Sequence, residues 1–177
     1  MRIAVIGVGS MGDWFARSWV DEHDVAVYDS CNEKKGLMRD VGAKWLDETA
    51  ELETFQPQIL LNAVNIGNTV KVFETVAPLV SEDCLLADIA TVKGNLREFY
   101  VKTPNPFVSV HPMFGPRFAN LDYLKNQNVI IITQSDAAGK FFFEEFFREL
   151  HLQVYHYSFQ EHDRLMAQSL ALPFTTS

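Results

Sequence analysis

Short apolar runs recur along the chain and alternate with segments of helical periodicity. Each run is a few residues long and almost wholly apolar, which is typical of strands buried on both faces of a parallel sheet. The runs cover residues 2–7, 24–29, 58–64, 84–89, 106–110, 128–133 and 152–157. Helical segments separate most of them, notably 10–20, 66–79 and 136–150. This alternation predicts an α/β fold with a doubly wound, mainly parallel sheet.

The last of these helical segments is rich in phenylalanine. It contains the run KFFFEEFFREL, in which five apolar side chains form a broad stripe. The stripe consists of Phe142, Phe143, Phe146, Phe147 and Leu150. An aromatic binding surface is one interpretation. A helix laid on the sheet is favoured over it, because such stripes normally face the core.

The pattern changes near the end of the chain. Ser158 and Glu161 have the spacing of a capping box, which marks the start of a helix. Helical periodicity follows over 159–171, and no strand comes after it. We therefore expect residues 1–157 to form one α/β domain. We expect residues 158–177 to be the first helix of a second, helical domain, most of which lies outside this sequence.

Composition narrows the classes of function. Of the 177 residues, 47% are hydrophobic, which is enough for a sizeable core. The formal net charge of -8 argues against nucleic acid as a partner, because phosphate binding needs a basic face. Cys31 and Cys84 lie in unlike contexts, which predicts free thiols and no metal site. The N-terminus does not resemble a signal, and no apolar run approaches the roughly 18 residues of a membrane span. We therefore expect a cytoplasmic protein that does not bind membranes.

The segment GVGSMG lies between the first predicted strand and the first predicted helix. It places Gly7, Gly9 and Gly12 in the spacing that binds dinucleotides in Rossmann-type folds. The first glycine allows a tight turn, the second lets a pyrophosphate approach, and the third lets the helix pack on the strand. Ser10 and Met11 begin the helix, whose free N–H groups attract phosphates. All five residues are candidate cofactor contacts, and a tight turn without a ligand is the alternative.

Asp29 ends the second predicted strand, where a carboxylate can accept hydrogen bonds from the adenosine ribose of NAD. It would repel the 2′-phosphate of NADP. Lys34 and Lys35 follow closely, and they could offset that repulsion or simply form a solvated helix face. The sequence predicts that NAD is the preferred cofactor.

Polar side chains also end two later strands. Asp88, Thr91 and Lys93 lie in ADIATVKGNL, and His111 lies in SVHPMFGP, directly after an apolar run. Carboxyl ends of parallel strands share one edge of the sheet, where ligands bind. The prolines and glycine after His111 indicate a rigid loop that would hold an imidazole in place.

These motifs, together with EHDRLMAQSLALPF, give the chain a resemblance to the prephenate and arogenate dehydrogenase family. The resemblance covers essentially the whole chain, and the His-Pro-Met-Phe-Gly block is its most specific part. It implies a Rossmann domain joined to a helical domain that also forms a homodimer. The implied reaction is oxidation of prephenate or arogenate by NAD with loss of CO₂, in tyrosine biosynthesis.

The resemblance also implies roles for single residues. His111 is the implied base or hydrogen-bond acceptor for the substrate hydroxyl, since a neutral imidazole can accept that proton. Thr91 stands where the family usually has serine, and its hydroxyl could orient His111 or bind the substrate. Val64 is followed by Asn65 where relatives often have Val-Pro, so both are candidate cofactor contacts.

Two implications concern the second domain. His162 and Asp163 match a His-Asp pair of the family, for which a structural or inter-domain role is favoured over chemistry. The arginine that the family uses for the substrate carboxylate is expected beyond this sequence.

Two other functions stay open from the sequence. A dehydrogenase of the 3-hydroxy-acid type would need a lysine and an asparagine one helical turn apart after the first domain, and residues 159–171 show no such pair. A non-enzymatic NAD(H)-sensing module would need no base beside the nicotinamide, so His111 speaks against it.

Overall fold

The central feature of the fold is one sheet that contains all the predicted strands. The structure, a computed structural model, describes residues 1–115, 124–125 and 127–171. Within these ranges eight strands form a single sheet. They are β1 (Arg2–Ile6), β2 (Asp24–Tyr28), β3 (Lys44–Trp45), β4 (Ile59–Asn62), β5 (Leu85–Asp88), β6 (Phe107–Pro112), β7 (Asn128–Ile132) and β8 (Gln153–Tyr157). Only the two-residue strand β3 was not predicted.

The strand order places a binding crevice near the middle of the sheet. The order is β3-β2-β1-β4-β5-β6-β7-β8, and neighbouring strands run parallel except β6 and β7. The chain builds outward from β1 to β3 and then crosses back to β4 on the other side of β1. Ligands bind beside the carboxyl ends of the strands at such a reversal. The prediction of a Rossmann-type, mainly parallel sheet is confirmed.

Helices cover both faces of the sheet. In the described ranges they are α1 (Ser10–Trp19), α2 (Lys35–Asp40), α3 (Leu52–Phe55), α4 (Thr69–Val76), α5 (Leu96–Lys102), α6 (Ala137–Glu149) and α7 (Phe159–Ala171). The helix predicted over 66–79 is α4 flanked by two short 3-10 turns. Pro78 contributes to the second turn, because its ring nitrogen has no N–H to continue the α-helical ladder.

Two apolar clusters hold these layers together. On one face, α1 and α6 pack on the sheet through a set of aromatic rings that includes Phe15, Trp19, Phe143 and Phe147. Phe142, Phe146 and Leu150 are half-buried and pack against the same cluster. The prediction that the phenylalanine stripe faces the core is therefore confirmed.

The opposite face is covered by α4, α5 and α7. The last of these helices begins with the predicted capping box: the Ser158 N–H donates to Glu161 Oε2 at 2.7 Å, and the Glu161 N–H donates to Ser158 Oγ at 3.2 Å. Phe159 and Met166 of α7 are buried in the cluster on this face. The helix thus rests on the sheet, and its assignment to a second domain stays a prediction. Pro116 of the histidine motif lies outside the described residues.

Candidate active site

The glycine loop has the close packing that its spacing predicts. Gly7 has a φ of +91°, and a side chain there would begin 2.9 Å from the backbone nitrogen of Val64. A Cβ on Gly12 would lie 1.9 Å from the Gly7 carbonyl oxygen, so α1 can approach β1 only with glycine at this position. A Cβ on Gly9 would meet nothing within 4 Å. Open space therefore lies at the position where a pyrophosphate is expected.

The start of α1 offers uncommitted N–H groups to that space. Gly9 precedes the helix, and no side chain caps it. The N–H of Asp13 is the first to bond within the helix, to the Gly9 carbonyl at 2.9 Å. The N–H groups of Ser10 and Met11 come before it, in the first turn that leaves donors for an anion. The Ser10 side chain is exposed, and that of Met11 packs on the core, so these two residues offer a ligand mainly their backbone.

Asp29 connects the end of β2 to the glycine loop. Its Oδ2 accepts the Val8 N–H at 2.6 Å, and its Oδ1 accepts the Cys31 N–H at 2.9 Å. These bonds fix the carboxylate at the edge of the sheet. Each oxygen keeps lone-pair capacity for a ribose hydroxyl. The two lysines that follow are engaged elsewhere, Lys34 with Asp13 at 3.3 Å and Lys35 with Asp47.

A cavity of about 540 Å³ opens beside these residues, a volume in the usual range of ligand pockets. It brings together five of the predicted contacts. They are Gly7, Gly9, Asp29, Val64 and Asn65. Residues from the ends of β1, β2 and β4 and from α4 form the walls, including Lys71 and Thr75.

Asn62 lies behind the loop that forms one wall of this cavity, and the sequence analysis did not identify it. It is the last residue of β4 and is buried. Its side-chain amide donates to the Thr69 carbonyl at 2.9 Å, and its Oδ1 accepts the Val64 N–H at 3.3 Å. These bonds hold the loop that carries Val64 and Asn65. The sequence feature that could have identified Asn62 is an asparagine at the end of an otherwise apolar strand.

A second polar group lies at the same edge of the sheet, at the ends of β5 and β6. Asp88 and Lys93 form a fully buried ion pair with 2.8 Å between Oδ1 and Nζ. Lys93 also donates to the Val110 carbonyl at 2.7 Å, and the Tyr100 hydroxyl donates to Asp88 Oδ2 at 2.8 Å. Burial lowers the pKa of Lys93, and the Asp88 carboxylate opposes that change. The pair ties the loop after β5 to the strand that carries His111.

His111 is buried and bonded to another histidine. Its Nδ1 lies 3.0 Å from Nε2 of His162, in the first turn of α7. His162 Nδ1 lies 3.4 Å from Asp163 Oδ1. Burial, the Lys93 cation and His162 lower the pKa of His111 to about 4. Burial and Lys93 also lower the pKa of His162. Both imidazoles are therefore neutral near pH 7.

Within the described ranges, the two candidate catalytic residues, Thr91 and His111, share no hydrogen bond. Thr91 lies in the bend after β5 with an exposed side chain, and it makes no hydrogen bond within the described ranges. The side chain that bonds to His111 is that of His162, which the sequence analysis named only as half of a His-Asp pair. Among the described residues, no three potential ligand side chains gather as a metal site, and no helix is long and apolar enough to cross a membrane.

Known proteins with similar sequences point to one family. Residues 15–152 match the family of the prephenate dehydrogenase nucleotide-binding domain. A probable arogenate/prephenate dehydrogenase of Methanocaldococcus jannaschii is 32% identical over 142 residues, which are 77% of this chain and 31% of that protein. The chain thus spans about a third of the length of this curated relative.

Solved structures agree in fold. Prephenate dehydrogenase from Aquifex aeolicus, in complex with hydroxyphenyl propionate and NAD⁺, has a TM-score of 0.80 at 21% identity, over 99% of this chain and 68% of that chain. Synechocystis arogenate dehydrogenase has a TM-score of 0.82 at 20% identity, over 98% of this chain and 65% of that chain. The family match covers most of the sequence, and it includes the strand that carries His111. The chain therefore belongs to the prephenate dehydrogenase family, of which it carries the nucleotide-binding domain.

Proposed function

We propose that this chain is the cofactor-binding part of an NAD-dependent dehydrogenase that oxidises prephenate or arogenate with loss of CO₂. The observation that carries the proposal is His111, a buried neutral imidazole at the same sheet edge as the nucleotide cavity. The family assignment favours this function over the 3-hydroxy-acid and sensing alternatives. A homodimer, a cytoplasmic location and a domain boundary at residue 157 stay predictions.

The residues of the first cavity fit a dinucleotide. The open space at Gly9 and the free N–H groups of α1 suit the pyrophosphate, and Asp29 suits the adenosine ribose. The A. aeolicus neighbour that was solved with NAD⁺ supports the same choice of cofactor. NAD⁺, when bound, accepts the hydride that the substrate loses.

His111 would handle the proton that accompanies this hydride. The substrate hydroxyl becomes a carbonyl as its carbon loses hydride, so the oxygen must give up a proton. A neutral imidazole can accept it. Loss of CO₂ then makes the ring a phenolate, to which the same imidazole can return the proton. The Lys93–Asp88 pair beneath this strand holds His111 in place through the Val110 carbonyl.

The test of the proposal is direct. The full-length protein that contains this chain is mixed with NAD⁺ and either prephenate or arogenate, and NADH absorbance is followed. NADH formation with one of the two substrates is the expected result and also decides between them. No NADH with either substrate would contradict the proposal.

We expect NAD to bind more tightly than NADP. The Asp29 carboxylate is fixed at the ribose position, and the nearby lysines are paired with other carboxylates. Replacing Asp29 by serine removes a charge that repels the 2′-phosphate. The preference for NAD should then shrink by at least about fivefold, which corresponds to the roughly 1 kcal/mol of one close charge contact in water. Dissociation constants from fluorescence titration measure both cofactors.

A matched control is Asp24→Ser at the opposite end of β2, where the aspartate is exposed. It should leave the ratio of the two dissociation constants unchanged. Tighter NADP binding by the unmodified protein would show that the assignment of Asp29 is wrong.

Thr91 is proposed to bond to substrate or cofactor, because it has no hydrogen bond within the described part of the protein. Thr91→Val keeps the shape and removes the hydroxyl, which leaves a partner unpaired at about 1–3 kcal/mol. We expect a matching loss in kcat/KM and no change in melting temperature, because the side chain is exposed. Thr91→Ser should be nearly silent. Equal behaviour of the two variants would exclude a role for the hydroxyl.

A further inference from the structure

The buried chain of side chains behind His111 supports an inference about which of its ring nitrogens carries the proton. We propose that His162 and Asp163 act as positioning residues that hold His111 with its proton on Nδ1, so that Nε2 presents a lone pair to the substrate hydroxyl. This inference rests on the proposed function for the identity of that substrate. The tautomer itself is a property of the protein alone.

The geometry comes first. Nδ1 of His111 and Nε2 of His162 are 3.0 Å apart, within hydrogen-bond distance, and both rings are at least 95% buried. The two rings meet edge to face, at 72° between their planes. Nε2 of His111 has no hydrogen-bond partner among the described residues, which leaves it as the nitrogen that can meet a ligand.

The charges come second. A bond between two imidazoles needs one donor and one acceptor, so at least one ring must be neutral at the shared position. The Lys93 cation and burial oppose protonation of either ring. Two neutral rings remain, and each carries one proton.

Asp163 then sets the direction of the bond. An ionised carboxylate can only accept, so His162 must donate to it from Nδ1. Nε2 of His162 is left with a lone pair and accepts the proton of His111 Nδ1. The remaining nitrogen of His111, Nε2, therefore has no proton and can act as the base.

The fold fixes His162 for this purpose. The backbone N–H of His162 donates to the Ser158 carbonyl at 2.9 Å, in the first turn of α7 where Ser158 and Glu161 form the capping box. His162 is fully buried, whereas Asp163 is nearly half exposed. The start of α7 thus places Nε2 of His162 beside His111 at the end of β6, although the two histidines are 51 positions apart in the sequence.

The experiment reads the tautomer by nitrogen NMR. The full-length protein is labelled with ¹⁵N-histidine, and the His111 signals are assigned by comparison with His111→Asn. Two-bond nitrogen–proton couplings show which nitrogen carries the proton. We expect the Nδ1–H form of His111 at pH 7. The Nε2–H form in the unmodified protein would overturn the inference.

Two variants of His162 provide the matched comparison. His162→Gln places an amide oxygen where Nε2 was, so it can still accept the His111 proton, whereas His162→Leu cannot. We expect His162→Gln to keep the Nδ1–H form and most of the turnover. In His162→Leu, His111 should no longer be held in the Nδ1–H form. The kcat should fall by at least about tenfold, which is part of the rate enhancement that a positioned base usually gives. Retention of the Nδ1–H form in the leucine variant, or equal kcat in the two variants, would overturn it.

The two proposals fail differently. An unmodified protein that oxidises neither substrate contradicts the proposed function, and the NMR result still decides the tautomer. A protein that oxidises one of them while His111 carries its proton on Nε2 contradicts only the inference about His162 and Asp163. Titration with NAD⁺ confirms that each variant is folded before its spectra are compared.

Discussion

Replacing His111 by asparagine should lower turnover by roughly 10²–10⁴-fold, the usual contribution of a positioned base. Asparagine fills a similar volume and keeps a hydrogen-bonding group, but it cannot take up a proton at neutral pH. Binding of NAD should be nearly unchanged, because the described cavity that holds the glycine loop and Asp29 is lined by other residues. Steady-state kinetics of the full-length protein and NAD titration measure the two quantities separately.

The control is the same substitution at another histidine. His156 lies on β8, is exposed and pairs with Glu144 at 2.8 Å, so His156→Asn should leave turnover unchanged. Unchanged turnover in His111→Asn would remove His111 from the chemistry. A loss of similar size in both variants would indicate that the effect is structural.

The low pKa of His111 also determines how its effect depends on pH. Because burial and Lys93 lower the pKa of His111 to about 4, the neutral form predominates down to well below the ordinary pKa of histidine. Protonation of this residue should therefore reduce kcat/KM only on the acid side, toward pH 4. An acid limb centred near 6.5, the ordinary pKa of histidine, would mean that His111 is more open to water than its 5% exposure indicates.

Local patterns were enough to predict most of the fold. Alternation of strands and helices identified seven strands and their mainly parallel arrangement, because each pattern extends over several residues. Strand β3 escaped prediction, since Lys44 and Trp45 are too few to show any period. The glycine loop and Asp29 were recognisable because their spacing is set by the ligand rather than by the fold.

The network behind His111 was not predictable in the same way. The contact between His111 and His162 depends on how α7 returns over the sheet, and no local pattern encodes that. Burial of Lys93 was unexpected because lysine is almost never fully buried unless it is paired. Its partner Asp88 was recognisable as a carboxylate at the end of an apolar strand. The sequence analysis therefore placed both residues at the correct edge of the sheet.

Replacing Lys93 by methionine should lower the free energy of unfolding by about 3–5 kcal/mol, the usual cost of removing one partner from a buried ion pair. Methionine fits a similar volume, so the loss comes mainly from the Asp88 carboxylate. That group is fully buried, and among the described residues it would keep only the Ala90 N–H and the Tyr100 hydroxyl as donors. Chemical denaturation followed by circular dichroism measures the change.

Two further variants separate buried charge from side-chain volume. Lys34→Met removes a lysine from a partly exposed pair with Asp13, and it should cost only about 0–1 kcal/mol. Adding Asp88→Asn to Lys93→Met removes the unpaired negative charge of the Asp88 carboxylate. The amide oxygen of the asparagine can still accept from the Ala90 N–H or the Tyr100 hydroxyl. We therefore expect the double variant to be more stable than Lys93→Met alone. If the double variant is the less stable of the two, the loss in free energy of unfolding caused by Lys93→Met comes from lost packing. The charges of the buried pair would then not be what holds the end of β5 against β6.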